Sequence, residues 1–273
     1  MSAADAGTVT LGDLTVNRLG FGAMRITGDG IWGEPRDRDE CRRVLRRAVD
    51  LGVNFIDTAD SYGPDVSEQL IAEELHPYPE DLVIATKGGF IRHGPGSWHA
   101  DCHPERLKQC CEGSLRRLKL DRIDVYQLHT VDRNVPFADS VGALKELRDE
   151  GKIRHVGLSN VNARQLAEAQ GIVHVVSVQD RYSASDRTSE EVLEACERGG
   201  LAFIPWFPLG AGRATEPGGP LDRAAQDKGI TLAQAALAWL LDRSEGMLPI
   251  PGTSSVDHLE ENVAAAEVKG LRL

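Results

Sequence analysis

Four polar residues in the first half of the chain have the chemistry needed to protonate a carbonyl oxygen. Asp57, Lys87 and His129 each close an apolar run that resembles a buried strand, and Tyr62 follows the first run closely. A tyrosine hydroxyl alone is a weak acid, with a pKa of about 10. A neighbouring lysine ammonium lowers that pKa, and a carboxylate paired with the ammonium keeps it charged and in place. A histidine could donate a hydrogen bond to the carbonyl oxygen and orient the substrate.

Each of these residues also has an ordinary structural explanation when it is taken alone. An aspartate at a strand end is often a cap, a loop tyrosine is often half-buried, and a lysine at a strand end is usually solvated. A histidine after an apolar strand is more often a satisfied residue at the edge of the core. Their joint placement favours chemistry, because the carboxyl ends of all strands in an α/β barrel open onto one face, which holds the active site.

The elements that would position these residues alternate along the chain. A β-hairpin is predicted first, with Thr8–Leu11 and Leu14–Val16 around the Gly12-Asp13 turn. Strand patterns then occur at 19–22, 54–57, 82–86, 123–128, 155–158, 175–178, 202–205 and 248–250. Helical periodicity occurs at 37–51, 67–75, 104–118, 137–150, 162–169, 189–198, 220–228, 231–241 and 256–266.

Alternation of this kind predicts a parallel sheet, and eight rounds favour its closure into a (β/α)8 TIM barrel. We therefore expect an α/β fold and one barrel domain over residues 1–273. A doubly wound open sheet is the alternative. No Gly-x-Gly-x-x-Gly motif follows the first strand, so the sequence gives no support to a Rossmann dinucleotide site.

Composition restricts the class of partner. The net charge of −11 argues against nucleic acid and anionic membranes, and no apolar run has the length of a membrane span. The first residues lack the basic and apolar regions of a secretory signal. Five cysteines without a CxxC pair are typical of free thiols in a reducing compartment, so we expect a cytoplasmic protein.

Three motifs together resemble the aldo-keto reductase family. They are the run from Phe55 to Gly63, the tripeptide Ala85-Thr86-Lys87, and Leu128-His129 after Asp124-Val125-Tyr126. The resemblance implies a (β/α)8 barrel whose bottom is plugged by the hairpin. It also implies NAD(P)(H)-dependent interconversion of an aldehyde or ketone and its alcohol. In that family the four residues form a catalytic tetrad: Tyr62 gives the proton, Lys87 and Asp57 tune it, and His129 orients the carbonyl.

The same resemblance implies where the cofactor binds. Ser159, Asn160 and Gln179 match the site for the nicotinamide carboxamide, and Trp206 falls where an aromatic ring stacks on the nicotinamide. Expected contacts to the phosphates and the adenosine are Phe207, Leu209, Gly210, Gly212, Arg213, Gly252, Thr253, Ser254, His258, Glu261 and Asn262. Gly252 and His258 stand where many relatives have Lys and Arg. NADP(H) is still the expected cofactor, with NAD(H) as the alternative.

The expected partner is a small carbonyl or alcohol substrate. Met24, Trp32, Phe90 and Trp98 lie in two long loops, 24–36 and 88–103, and are predicted to form the walls of the pocket. An aromatic aldehyde, a sugar-like ketone and a secondary-metabolite ketone all remain open as substrates.

Two other classes of function are also open. A reductase-like barrel could act as a non-catalytic regulatory subunit that senses the nicotinamide redox state. A metal-dependent hydrolase could use His93, His99, His103 and His129, although no HxH or HExxH motif supports it.

Overall fold

A curled sheet of parallel strands forms the centre of the protein. The computed structural model describes residues 1–209 and 220–271. In chain order its strands are β1 (Thr8–Leu11), β2 (Leu14–Asn17), β3 (Phe21–Gly22), β4 (Phe55–Asp57), β5 (Val83–Gly88), β6 (Phe90–Ile91), β7 (His99–Ala100), β8 (Ile123–Leu128), β9 (Ile153–Ser159), β10 (Val175–Arg181) and β11 (Ala202–Trp206). Seven of them pair in parallel in the order β3-β4-β5-β8-β9-β10-β11.

Segment 247–251 closes this sheet into a ring. On one side, the amide of Leu248 donates to the carbonyl of Phe203 in β11 at 2.9 Å. On the other side, the amide of Gly20 donates to the carbonyl of Pro249 at 2.9 Å. The predicted strand 248–250 therefore occupies the eighth position of the barrel. It lacks a regular ladder because Pro249 and Pro251 have no N–H to donate.

The helices follow the strands in the predicted order. In the described part of the chain they are α1 (Arg38–Asp50), α2 (Val66–Leu75), α3 (Pro104–Leu118), α4 (Phe137–Asp149), α5 (Ala163–Gln170), α6 (Glu190–Gly199), α7 (Pro220–Lys228), α8 (Leu232–Arg243) and α9 (Val256–Ala264). The last predicted helix ends early, because residues 265–267 form a 3-10 turn. Within residues 1–209 and 220–271, no helix combines the length and apolar character needed to span a bilayer.

The N-terminal hairpin shares an apolar cluster with strands of the central sheet. Strands β1 and β2 pair antiparallel, with Leu11 opposite Leu14 across the turn. Leu11 and Val16 are fully buried and belong to one apolar cluster with residues of β4, β5, β8, β10 and β11. Side chains that begin β4 and β5, such as Phe55 and Val83, are members of that cluster.

One buried polar cluster joins β5 to the helices outside it. Glu68 of α2 is fully buried, accepts a hydrogen bond from Thr86 of β5 at 2.5 Å, and pairs with Arg117 of α3 at 2.6 Å. Ser67, which the sequence suggests as the opening residue of this helix, instead donates to the carbonyl of Ala23 at 3.0 Å. These contacts fix the strand that ends in the candidate site.

Candidate active site

The structure brings the four predicted catalytic side chains together at the carboxyl ends of their strands. Lys87 is fully buried and its ammonium donates to Oδ2 of Asp57 at 2.6 Å and to the hydroxyl of Tyr62 at 3.3 Å. The carbonyl of Thr58 accepts a third hydrogen bond from the ammonium at 2.9 Å. All three protons of the ammonium therefore have acceptors, and one acceptor is the candidate proton donor.

Asp57 is held from its other side by two glutamines. Its Oδ1 accepts from Nε2 of Gln127 at 2.9 Å and from Nε2 of Gln179 at 2.8 Å. The sequence analysis did not include Gln127 among the site residues. A polar amide side chain within the apolar strand β8 could have indicated it. The two amides and the Lys87 ammonium therefore fix the position of the carboxylate group from both sides.

Burial acts on the pKa values of Lys87 and Tyr62 in opposite directions. Burial alone lowers the pKa of Lys87, but the attraction of Asp57 and Tyr62 outweighs burial and raises it above the ordinary value. Burial raises the pKa of Tyr62, and the opposing effect of the Lys87 ammonium only partly offsets it. The predicted lowering effect of Lys87 on the tyrosine pKa is present, but desolvation of the phenolate exceeds it, so the net pKa of Tyr62 lies above the ordinary value. The hydroxyl holds its proton at neutral pH.

His129 lies beside the phenol as a neutral imidazole. Its ring centroid is 5.8 Å from that of Tyr62, in an edge-to-face arrangement. Burial first, and then the positive charges of Lys87 and Arg92, hold the pKa of His129 well below its ordinary value. Nδ1 lies 3.4 Å from the hydroxyl of Ser61. When that hydroxyl donates to Nδ1, the neutral ring carries its hydrogen on Nε2, and Nε2 can donate to a carbonyl oxygen.

A buried arginine connects the loops around the tetrad. The guanidinium of Arg92 donates to the carbonyls of Gly30 at 3.0 Å, Ile31 at 3.1 Å, Ser61 at 3.0 Å and Ser97 at 2.6 Å. It also stacks on Trp98, 3.7 Å from the ring centroid. Sequence reasoning missed Arg92, because nothing local marks which of many arginines is buried. Arg92 directly follows β6 and lies within the short β6–β7 hairpin, an element that the sequence did not predict.

A cavity of about 680 Å³ opens directly above the tetrad. Three of the four predicted substrate residues, Met24, Phe90 and Trp98, line it together with Tyr62 and His129. The fourth, Trp32, is not among its lining residues and lies 5.8 Å from Arg92 instead. The structure therefore places the Trp32 ring beside the Arg92 guanidinium and does not bring it into the wall of this cavity.

The residues expected at the nicotinamide lie along one side of the same cavity. Ser159, Asn160, Gln179 and Trp206 all contribute to its lining, and so do Phe207 and Leu209, which were expected at the phosphates and the adenosine. The indole of Trp206 donates to Oδ1 of Asn160 at 3.2 Å, and Nδ2 of Asn160 donates to the carbonyl of His129 at 2.9 Å. These bonds fix the aromatic surface of Trp206 relative to the tetrad. Nε2 of Gln179, in contrast, is directed to Asp57 and Gln127.

Six of the residues expected at the phosphates and the adenosine line a second cavity of about 430 Å³. Thr253, His258, Glu261 and Asn262 line it, and Gly252 and Leu209 line both cavities. Ser254 lines neither. Gly210, Gly212 and Arg213 lie outside the described residues. An elongated ligand with a planar ring at one end fits this arrangement, because Trp206 presents a flat aromatic face in the first cavity.

The four histidines of the metal hydrolase hypothesis do not form a ligand set. His93, His99 and His103 are exposed, whereas His129 is buried against Tyr62. Over residues 1–209 and 220–271, no group of three or more His, Cys, Asp or Glu side chains is arranged to hold a metal ion.

Comparison with known proteins gives the family. The sequence profile described as the aldo/keto reductase family matches residues 18–271. An uncharacterized oxidoreductase of Schizosaccharomyces pombe is 52% identical over 269 residues, which cover 98% of this chain and 88% of that protein. Pyridoxine 4-dehydrogenase of Escherichia coli is 44% identical over 269 residues, which cover 96% of this chain and 94% of that enzyme.

A solved structure shows the same fold. The aldo/keto reductase of Klebsiella pneumoniae in complex with NADP and acetate superposes with a TM-score of 0.80 at 27% identity, covering 96% of this chain and 90% of that one. This similarity and the closed ring of strands confirm the predicted (β/α)8 barrel. The match over residues 18–271 and the 52% and 44% identities show that the chain belongs to the aldo/keto reductase family of oxidoreductases.

Proposed function

We propose that the protein interconverts an aldehyde or ketone and its alcohol with a nicotinamide cofactor. The observation that carries this proposal is the ammonium of Lys87, which donates to both Asp57 and Tyr62 at 2.6 and 3.3 Å beneath an open cavity. A phenol in this setting is a positioned acid whose conjugate base has a cation in contact. Positioned acids contribute roughly 10²- to 10⁴-fold to a rate.

Each residue has a separate task in the proposed reaction. On reduction, the hydroxyl proton of Tyr62 passes to the carbonyl oxygen, and the Lys87 ammonium stabilises the phenolate that remains. On oxidation, the phenolate takes the proton back from the alcohol. His129, which is neutral because burial lowers its pKa, donates a hydrogen bond to the substrate oxygen. The nicotinamide, when bound, supplies or accepts the hydride.

NADP(H) is the proposed cofactor, with NAD(H) as the alternative. The Klebsiella pneumoniae relative is described in complex with NADP, which supports the phosphorylated form. In this chain, Thr253 and His258 at the start of α9 would hold the additional phosphate, since helix N-termini favour anions. The proposed substrate is a planar carbonyl compound, because Phe90, Trp98 and His129 form edge-to-face contacts around the space above Tyr62.

Cofactor titration followed by a substrate screen tests the proposal. NADPH and NADH are titrated separately while nucleotide fluorescence is followed, and the preferred one is then tested with aromatic, aliphatic and sugar-like carbonyls. We expect NADPH to bind more tightly and at least one aromatic aldehyde to turn over steadily. Tight nucleotide binding without turnover of any carbonyl would instead favour the regulatory-subunit hypothesis. Absence of binding by either nucleotide would contradict the proposed function.

We also propose that the chain forms one barrel domain, that its hairpin plugs the bottom of the barrel, and that the protein is cytoplasmic. The burial of Leu11 and Val16 among barrel residues supports the plug, and five buried free cysteines support a reducing compartment.

If the hairpin plugs the barrel, two of its leucines should contribute very differently to the free energy of unfolding. Leu11→Ala should lower the free energy of unfolding by about 2–5 kcal/mol, because it leaves a cavity in the core. Leu14→Ala, at a half-buried position of the same turn, is the matched control and should cost clearly less. Urea unfolding measures both variants. Equal costs would show that the hairpin does not seal the interior.

A further inference from the structure

We propose that a cleft beside the loop that carries Tyr62 binds a small organic oxyanion of the phosphate monoester class. This side cleft has a volume of about 510 Å³ and is lined by residues of α3, of β6 and of the segment 60–65. Among the described residues that line it, only Phe90 also lines the cavity above the tetrad. The side cleft is therefore a separate site, and binding there does not depend on the proposed carbonyl chemistry.

One face of α3 forms a cationic wall of the side cleft. Arg106, Cys110 and Gly113 recur at intervals of four and three residues, so they lie on one face of the helix. Gly113 leaves the middle of this face without a side chain. Although the whole chain has a net charge of −11, the side cleft is lined by four arginines and two aspartates, namely Arg92, Arg106, Arg116, Arg117, Asp60 and Asp65. This local excess of positive charge favours an anionic ligand.

Two of these arginines have no carboxylate partner. Arg117 pairs with Glu68 at 2.6 Å and with Asp65 at 3.2 Å, so its charge is compensated within the protein. Neither Arg106 nor Arg116 has an Asp or Glu oxygen within 4.0 Å among residues 1–209 and 220–271. The Nε of Arg106 is buried and has no hydrogen-bond partner among the same residues. Since guanidinium groups bind phosphate oxygens through paired N–H donors, an oxyanion would give both arginines a partner.

A buried aspartate contributes to the same cleft. Asp60 is 7% exposed, and its Oδ1 also has no hydrogen-bond partner in the described part of the chain. Burial first, and then repulsion by Glu68, raise the pKa of Asp60 to about 7, against the opposing effects of Cys110, Arg117 and Arg106. A carboxyl group that keeps its proton up to neutral pH can donate a hydrogen bond to an oxyanion.

The remaining walls favour an organic phosphate over a bare phosphate ion. Arg106, Arg116 and Asp60 are three donors in one cleft, and a phosphate monoester has three terminal oxygens to accept from them. Phe90 and Ile91 of β6 add an apolar wall that can contact the organic part of such a ligand. The volume also suits a small organic molecule, since ligand pockets measure about 300–1,000 Å³.

Calorimetric titration with phenyl phosphate tests the site. The protein is first saturated with NADPH, so that the proposed nucleotide site is occupied. We expect one equivalent to bind, and Arg106→Gln and Arg116→Gln should each weaken binding roughly 10- to 100-fold, because each removes a charge-assisted hydrogen bond. Lys108→Gln is the matched control, since Lys108 lies on the same helix, does not line the side cleft and pairs with Glu146 at 2.6 Å. Inorganic phosphate should bind more weakly than phenyl phosphate.

The pH dependence of affinity tests the part played by Asp60. Phenyl sulfate is the probe, because its charge does not change around neutral pH. Its affinity should fall as the pH rises through about 7, since deprotonation of Asp60 removes a donor and adds a negative charge. The other charged groups that act on Asp60 are Glu68 of α2 and Arg106 and Arg117 of α3, while burial raises the pKa of the Cys110 thiol and keeps it neutral. Asp60→Asn keeps an uncharged donor and should show no such fall, whereas a pH-independent affinity in the unaltered protein would remove Asp60 from the site.

Four results would overturn the proposed site. They are absence of binding to the unaltered protein, unchanged affinity in both arginine variants, an equal loss in Lys108→Gln, and binding to the free protein that disappears when NADPH is added. The last result would place phenyl phosphate at the nucleotide site. If NADPH itself did not bind, the proposed function would fail, and the titration of the free protein would still decide whether the side cleft binds the anion.

Discussion

Tyr62→Phe should reduce carbonyl turnover by roughly 10²- to 10⁴-fold while leaving nucleotide affinity unchanged. The substitution removes only the hydroxyl that accepts from Lys87, at 3.3 Å, and keeps the ring that packs against Trp98, with centroids 6.5 Å apart. The pKa of Tyr62 is raised by burial, so in the unaltered protein this hydroxyl is protonated across the neutral range and available for reduction. Single-turnover kinetics with a saturating cofactor measure the loss.

Tyr78→Phe is the matched control for this substitution. The hydroxyl of Tyr78 donates to the carbonyl of Leu118 at 2.7 Å, and Tyr78 does not line the cavity above the tetrad. We expect it to lose some stability and almost no turnover. Near-normal turnover in Tyr62→Phe with a good substrate would remove Tyr62 as the proton donor.

The second large effect is expected in stability, at the Lys87–Asp57 pair. Both side chains are buried, with 0% and 2% exposure, so replacing one partner leaves a charge without compensation in the core. Asp57→Asn and Lys87→Met should each lower the free energy of unfolding by about 3–5 kcal/mol. The loss for Lys87→Met should lie at the lower end of this range, because Gln127 and Gln179 still donate hydrogen bonds to the carboxylate of Asp57. Both should lose most turnover.

The double variant Lys87→Met with Asp57→Asn distinguishes a true pair from two independent residues. Because neither buried charge remains, its cost should be smaller than the sum of the two single costs by more than 1 kcal/mol, roughly the size of coupling seen for residues in contact. Urea unfolding of the four proteins gives this difference. Strict additivity would contradict the inferred dependence of the ammonium on the carboxylate.

The sequence could predict what depends on local pattern. Lys87 and His129 stand at the ends of strands whose apolar character is visible without a structure, and α3 has the predicted bounds, Pro104–Leu118, with a proline at its first turn. The barrel follows from the alternation of such elements. The juxtaposition of the four candidate residues then follows from the barrel, since parallel strands end on the same face.

What the sequence could not predict depends on distant neighbours. The net direction of the Tyr62 pKa shift requires knowing how completely the phenol is desolvated, which only packing decides. Trp32 lies beside partners that are distant in the chain, Gly63 through a backbone bridge and Arg92 through its guanidinium. In each case the neighbouring group that determines the property lies at no regular distance in the sequence from the residue concerned.

The contacts of Arg92 limit how substrate range can change in this protein. Its guanidinium is tied to carbonyls of three loops, through Ile31, Ser61 and Ser97, and has no carboxylate partner within the described chain. If one of these loops were exchanged for that of a relative, the buried guanidinium of Arg92 would lose some of its carbonyl acceptors. New substrate specificities should therefore arise by single substitutions at Met24, Phe90 or Trp98, while the backbones of the three loops stay unchanged.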